Sequence, residues 1–450
     1  MKEVAKLQIK DRTELFQATA ISMGMQPNVI EKDFWVCFML DHLFHDCRYK
    51  NAFVFKGGTS LSKSYHVIER FSEDIDLILD WRKIINDEVN PWEERSKTKQ
   101  DFFNKQINSE AAKFYKEELI PQLNSEMKEK LGDGEWISVD TEDEMVVNFY
   151  YPQIFEAEYL RSCVRLEIGP LAEWMPSHET IVTPFAAEKY PDIFSQKDTS
   201  VLTIDVERTF WEKLTILHKI ANFPEGKPLP ARYARHLYDV YNMGNSWVKE
   251  RAFKRKELLE KDVAFKQKFY YAKGAHYETA TLENIMLLPG ARIHKELEDD
   301  YQAMRKFEKH LREVCLMYYF DKAGYELMEQ DDSIIGVGLE FYCKALNVAV
   351  ILSRPFHETI HGQRIENAKN DLCRKNNIRL IRILEAGCRT YDNCMCLQCD
   401  DESLESYDWA LISMFDVLGI TMNVDCERDM REMFMWYQKY LDRLFLAEKE

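Results

Sequence analysis

Asp74 and Asp76 stand two residues apart, alternating with the apolar Ile75 and Leu77. That alternation is the period of a strand with one apolar and one acidic face, so both carboxylates point the same way. Carboxylates this close repel one another unless a cation sits between them. A divalent metal would relieve the repulsion. Carboxylate and phosphate oxygens are the donors Mg²⁺ prefers, and such an ion activates a hydroxyl and neutralises charge on a nucleoside triphosphate. The competing assignment is a solvated strand edge whose acids pair with Lys63 or Arg70. Upstream, Gly57-Gly58-Thr59-Ser60 follows a β-prone run, Asn51 to Phe55, and precedes Leu61, Tyr65 and Ile68 at helical spacing. Strand, tight glycine turn and helix start bring backbone close to a ligand, where free N–H groups and the Thr59 and Ser60 hydroxyls can hold phosphate oxygens. The same residues also serve as an ordinary helix cap.

Several elements must position these groups. Residues 12–47 read as two helices, with Ile30, Phe34, Cys37 and Leu40 on one stripe. Residues 82–135 read as charged helix, Met145 to Tyr151 and Cys163 to Ile168 as strands, and Val206 to Ala221 as an amphipathic helix. From Arg235 to about 325 the pattern is mostly helical. β-type runs then return at Leu339 to Cys343, Asn347 to Leu352 and Ile378 to Ile383, which places a domain boundary near 320–330. Trp409 to Leu418 and Met430 to Phe445 read as packing helices. The fold class is α/β (α+β).

The chain has 450 residues, 46% apolar and 30% charged, enough for two or three domains with substantial cores. Its formal charge of −17 excludes an all-over cationic binder, so a polyanionic partner needs a local basic patch or metal ions. No apolar stretch approaches the roughly 18–20 residues that cross a bilayer, and Met1 to Lys6 is too charged for a signal peptide. A cytoplasmic protein with no membrane partner is the expectation. The 11 cysteines, an odd number spread through a large chain, fit reduced thiols rather than a secreted disulfide framework, and the eight that follow residue 300 hint at a separate C-terminal domain. Cys388, Cys394, Cys396 and Cys399 are spaced closely enough to place four thiolates around zinc, or to form a loop cluster of free thiols. His357 and His361 lie four apart, but Pro355 and Gly362 favour a loop and ordinary polar roles. Residues 249–273 carry nine basic side chains against four acids, interleaved with Phe253, Phe265, Phe269, Tyr270 and Tyr271. Such a stretch is either a single-stranded RNA surface or a charged helix face over an aromatic stripe.

The run Phe55 to Lys63, followed by Arg70-Phe71-Ser72-Glu73-Asp74-Ile75-Asp76-Leu77, resembles the AbiEii-type nucleotidyltransferase toxins of type IV toxin-antitoxin systems, in the polymerase-β-like superfamily. Glu31-Lys32-Asp33, Val164 to Glu167, Arg208 to Leu214 and Arg235 to Asp239 are similar to other family segments in the same order, so the likeness covers roughly residues 12–315. It implies a polymerase-β-like core with helical additions and an NTP substrate. It also implies Mg²⁺ on Asp74 and Asp76, with Lys56, Gly57, Gly58, Thr59, Ser60 and Arg235 lining the nucleotide. Glu167 falls where the superfamily often has a third carboxylate, its ordinary alternative being an ion pair with Arg165 or Arg161. Lys213 takes the place of a phosphate-contacting lysine. Many family members have Arg-Asp where this chain has Arg235-His236, which leaves Asp239 as the last acidic site residue. The acceptor implied is the 3′ end of tRNA, and the role that of a toxin or phage-defence effector with a cognate antitoxin.

Farther on, Gly336 to Tyr342, Leu346 to Val350 and Asn370 to Ile383 resemble a PD-(D/E)XK restriction-endonuclease-like core. Glu340 matches its first acidic position, but Ile351 and Ser353 stand where the next carboxylate and its polar neighbour belong. One glutamate cannot build that metal site, so no nuclease activity is expected. The organisation read is a nucleotidyltransferase core over 1–240, a helical extension with a possible RNA surface over 241–325, and a degenerate nuclease-like domain over 326–450. The alternative is a nucleic-acid-binding defence or sensing protein whose nucleotidyltransferase-like domain is regulatory.

Overall fold

The computed structural model describes all residues except 24, 86–89, 156–160, 172–174, 225–226, 231, 291–294, 299, 302–310, 332–334, 336–337, 354–359, 387, 402 and 448–450. The chain divides into two units, Met1–Thr19 with Pro27–Glu308 and Ala20–Gln26 with Lys309–Glu450. Both are mixed α/β. His357 and Pro355, with Gly336 and Val337 of the nuclease-like resemblance, lie outside the described residues. His361 and Gly362 fall within the helix Ile360–Lys375, not in a loop.

The first unit is built on a sheet of seven strands: β1 (Phe53–Lys56), β2 (Ile75–Leu79), β3 (Ile137–Val139), β4 (Val146–Phe149), β5 (Val164–Gly169), β6 (Ser177–Val182) and β7 (Thr199–Ile204). Their order is β3-β4-β5-β2-β1-β7-β6. β2 runs antiparallel to β1 and parallel to β5, while β1 is parallel to β7. The helix Pro27–Asp41 packs against β5 and β7. It is buried along almost its whole length, its polar Asn28, Glu31, Lys32, Asp33 and Asp41 included. Trp35 anchors it by stacking on Tyr151 at 5.6 Å.

Directly after β7 comes the helix Val206–Ala221, whose stripe of Val206, Phe210, Leu214 and Leu217 is buried. The helices Trp247–Lys254 and Glu257–Phe269 pack on it. The helix that opens at Gly57 is shorter than the sequence spacing predicts, ending at Lys63 with Ser64 as its cap. His66, at φ 50°, takes the chain out of helical geometry, yet Tyr65 and Ile68 still join Leu61 against Phe210 and Leu214.

The second unit holds β8 (Met328–Asp331), β9 (Leu339–Cys343), β10 (Val348–Ser353), β11 (Arg379–Leu384) and β12 (Met395–Gln398), in the order β12-β11-β10-β9-β8. β10 and β11 are parallel, joined by the crossover helix Ile360–Lys375, while β9 is antiparallel to β10. All six residues of β10 are buried, which fits a central strand covered on both faces.

Candidate active site

Sheet register puts the acidic groups in one row. Asp76 is paired with Lys56 of β1 and with Glu167 of β5. Residues opposite each other on neighbouring strands share a face, so Lys56, Asp76 and Glu167 stand side by side there. Asp74 immediately precedes β2. Beyond the row, Val54, Ile78 and Ile204 form an apolar floor.

All three carboxyls are harder to ionise than usual. Burial pushes Asp76 up to about 7; Glu167 and Asp74 add to the rise, and Lys56 and Lys213 oppose it. Asp74 is raised by burial and by Glu73, against Arg232, Arg165 and Lys32. Glu167 is raised by burial and by Asp74, against Arg165. The Arg165 ion pair read from the sequence as the ordinary role of Glu167 is present at 3.5 Å, and it coexists with the place of Glu167 in the acidic row. The cations offered as partners for a simple strand edge are engaged elsewhere. Lys63 pairs with buried Asp33 at 2.7 Å, and the Arg70 fork grips Asp239 at 2.7 and 2.8 Å.

The two glycines are dictated by these side chains. Gly57 has φ +82°, and a Cβ there would lie 1.8 Å from Asp76 Oδ2. A Cβ on Gly58 would lie 2.7 Å from Arg70 Nη2 and 2.9 Å from Ser72 Oγ. Side chains at either position would push into the acidic row or into the segment leading to it. The Thr59 and Ser60 hydroxyls, which the sequence offers to phosphate oxygens, bond main-chain carbonyls instead. Thr59 donates to Asp74 O at 2.5 Å and Ser60 to Gly57 O at 2.8 Å, both side chains being wholly buried. Thr59 thus ties the glycine helix to the residue that begins the acidic row.

Lys213, on the helix Val206–Ala221, reaches Asp239 Oδ2 at 2.8 Å. Asp239 is fully buried. Burial alone would raise its pKa, but Lys213 and Arg70 draw it down to about 2. Both of its oxygens are occupied by cations, so it holds Arg70 and Lys213 in place. Arg235, one turn earlier on the helix Ala234–Gly244, is half-buried. His236, where the family often has aspartate, is pushed down to about 3 by burial and by Lys213, so it stays neutral.

Beside the row lies a cavity of about 350 Å³, lined by Lys56, Ile78, Glu212, His236, Lys266 and Tyr270 among others. Lys56 pairs with Glu212 at 2.9 Å, and Arg208 with Asp262 at 3.0 Å. Lys266 donates to the Glu212 carbonyl at 2.9 Å. Glu212 is held well below the carboxylate range because Lys56, Lys266 and Arg208 outweigh its burial. Sequence reasoning missed Glu212, Lys266 and His236 as residues of this cleft, and Arg70 as the partner of Asp239. Glu212 had a signal in standing next to Lys213. The basic stretch 249–273 divides in two: Lys266, Phe265 and Phe269 are buried, whereas Lys249, Arg251, Lys254, Lys256 and Lys261 are exposed along with Phe253, Tyr270 and Tyr271.

In the second unit Glu340 Oε2 accepts from Leu352 N at 2.8 Å, and Ile351 is buried opposite Arg382. Arg382 is wholly buried, bonded to Glu366 at 2.8 Å and to Asn370 at 2.6 Å, with the Tyr391 ring 4.3 Å away. An internal arginine therefore fills the ground beside the strand that lacks its carboxylate. The four late cysteines do not converge on one point. Cys394 and Cys396 lie 3.8 Å apart, while Cys388 donates to Ser353 O. Among the described residues no three of these thiols share a metal-sized cluster.

The pattern of the family described as nucleotidyl transferase AbiEii toxin, type IV TA system, matches residues 39–322. No curated protein matches. Among solved structures the chain is similar to MenT4, a nucleotidyltransferase toxin from Mycobacterium tuberculosis H37Rv. That likeness has 14% identity and a TM-score of 0.33 over 66% of this chain and 99% of that one, too distant to bear on the site. With residues 39–322 of 450 inside the family pattern, the chain belongs to the AbiEii nucleotidyltransferase toxin family.

Proposed function

We propose that this chain transfers a nucleoside monophosphate from an NTP to the 3′ end of an RNA, with tRNA as the acceptor, in a magnesium-dependent reaction. The observation that carries this reading is the half-buried row of Asp76 and Glu167 with Asp74 beside it, while Lys63 and Arg70 are paired elsewhere. Three acids kept together, only Glu167 of them in an ion pair, with Arg165, and all three harder to ionise than usual, suit a divalent ion with oxygen ligands. Asp74 and Asp76 are the residues that would hold it. Once bound, the ion supplies positive charge for phosphate oxygens and acidity for an acceptor hydroxyl.

The chain's own groups divide the remaining work. Glu167, with its raised pKa, takes the acceptor hydroxyl proton on a carboxylate oxygen. The acceptor oxygen then bonds to the α-phosphorus, and the bond from that phosphorus to the β-phosphate oxygen breaks. Lys213, steadied by Asp239, faces the charge that builds on the departing pyrophosphate, where a fixed cation acts most strongly. Lys56 and the backbone from Gly57 to Ser60 border the triphosphate, with Arg235 at its rim. The exposed cations of 249–261, with Phe253, Tyr270 and Tyr271 nearby, supply phosphate contacts and stacking for the RNA.

In this reading the core spans 1–240, its helical extension 241–325, and a degenerate nuclease-like domain 326–450. The mixed sheet with parallel β10 and β11 supports that last assignment, and the buried Arg382 centre argues for binding or structure rather than cleavage. A cognate antitoxin is the expected protein partner. The test is incorporation of label from each of the four NTPs into total RNA by the purified chain, with and without Mg²⁺. Label in RNA that disappears with chelator supports the reading; no label with any NTP or metal overturns it in favour of a regulatory domain. Phosphodiester cleavage lost in Glu340→Gln would overturn the assignment of the second unit.

A further inference from the structure

At the end of the helix Pro27–Asp41 the chain makes one π-helical turn, His42–Asp46. The turn closes when Cys47 N donates to His42 O at 2.8 Å. In an ordinary α-helix a residue five positions on points well away from the first. The wider π turn brings it back beneath, a distortion that recurs at functional sites. Cys47 and His42 are thus drawn together, both buried, at 2% and 1% exposed. Glu126, from the helix Ile120–Leu131, completes a cluster whose three ligating atoms lie within 4.8 Å of one another. Around a single tetrahedral ion such atoms stand roughly 3.5 Å apart, a closure within the reach of side-chain torsions.

The surroundings of the cluster orient each group. Glu126 Oε1 accepts from Arg48 N at 3.1 Å and from Gln122 Nε2 at 2.8 Å. Oε2 is thereby aimed at His42 Nε2, 2.8 Å away. Cys47 Sγ accepts from Tyr49 N at 3.3 Å, the contact a thiolate ligand favours. The other imidazole nitrogen, Nδ1, is buried and has no hydrogen-bond partner among the described residues. Hydrogen bonds that fix one carboxylate oxygen and support the sulfur are what outer contacts do in metal sites.

We propose that His42, Cys47 and Glu126 form a zinc site separate from the acidic row of the nucleotidyltransferase face. Nitrogen, sulfur and oxygen together are a donor set that zinc accepts at tetrahedral geometry, and a water takes the fourth position. On binding, the Cys47 thiol gives its proton to solvent, and the His42–Glu126 hydrogen bond is exchanged for two metal bonds. The ion ties the end of the helix Pro27–Asp41 to the helix Ile120–Leu131.

The experiment titrates Co²⁺, and then Zn²⁺, into the chelator-treated full chain. Only thiolate ligation gives a sulfur-to-cobalt charge-transfer band, so metal on the acidic row is silent. One equivalent of Co²⁺ should produce that band and Zn²⁺ should bleach it. The band should vanish in Cys47→Ser and persist in Cys396→Ser. Glu126→Gln, with circular dichroism to check folding, should weaken Zn²⁺ at least about tenfold, and Gln122→Ala about tenfold through loss of orientation. No band on the wild-type chain, or a band that survives Cys47→Ser, overturns the site. Should Cys47→Ser fail to fold, unchanged affinity in Glu126→Gln overturns it equally.

Discussion

Asp76 of β2, half-buried, and Arg382 of β11, wholly buried, are both charges on an interior strand, but their neighbourhoods differ. Arg382 has a hydrogen-bond acceptor for each of its three nitrogens, on Glu366, Asn370 and Ser353, and an aromatic ring beside it. Asp76 has a second carboxylate in register beside it and a third two residues away, and its nearest lysine is already paired with Glu212. A satisfied buried charge specifies structure, and removing a partner is costly. A crowd of like charges costs stability in the absence of a cation and so points to a ligand. The contrast separates a centre built to bind from a centre that holds its domain together.

The largest expected effect would break this contrast outright. Asp76→Asn should lower nucleotide incorporation on the order of a thousandfold while the protein stays folded. The assay is label transfer from NTP to RNA at saturating Mg²⁺. Activity near wild type would leave the acidic row without a metal role.

Arg382→Met tests the other side. Losing the guanidinium leaves Glu366 and Asn370 without their main partner, which should cost about 3–5 kcal/mol. Urea unfolding of the full chain should show an early transition confined to the second unit, tracked by proteolysis of residues 339–384. A midpoint equal to wild type would mean that Arg382 is not a structural keystone.

A smaller effect falls on Lys213→Ala. The lysine pairs with Asp239 and is close enough to bear on Asp76, so its loss should cut kcat about a hundredfold and shift the KM for NTP less. Equal kcat/KM would reduce Lys213 to a structural partner of Asp239.

These tests also mark what the sequence could and could not disclose. Alternation around Asp74 to Leu77 revealed β2 because one face is apolar and the other acidic, and the stripe from Val206 to Leu217 revealed its helix to the residue. β7, which lies beside β1, escaped notice because Thr199 to Ile204 reads Thr-Ser-Val-Leu-Thr-Ile, with neither strict alternation nor charge contrast. β6 is largely polar and exposed, so neither face announces a core. Glu167 could be named from its motif, but its place beside Asp76 depends on parallel pairing across 91 residues of chain, which local spacing does not encode. Arg70 and Asp239 are 169 residues apart, and their fork emerges only from the fold. The same holds for Lys266, which reads as one surface cation among nine and is buried under the cavity.

The smallest effect is also the one that isolates charge from shape. In the chain without metal, Asp76 has a pKa of about 7 against an ordinary 3.8. Between those values the unfolded chain has released this proton and the folded chain keeps it, so unfolding loses a proton and stability falls as pH rises. The fall is complete above about pH 7, where both states are ionised. The amide that replaces it in Asp76→Asn has no proton to lose. The Tm of Asp76→Asn relative to wild type, measured with chelator, should therefore climb between about pH 5.5 and about pH 8, by roughly a few degrees. Any change in packing from the amide is common to both pH values and cancels in the difference. Saturating Mg²⁺ should close the gap at the higher pH, because the ion stabilises only the folded wild type. A difference that stays level across the range would mean the acidic row is already neutralised by the protein itself. It would then resemble the Arg382 centre rather than contrast with it.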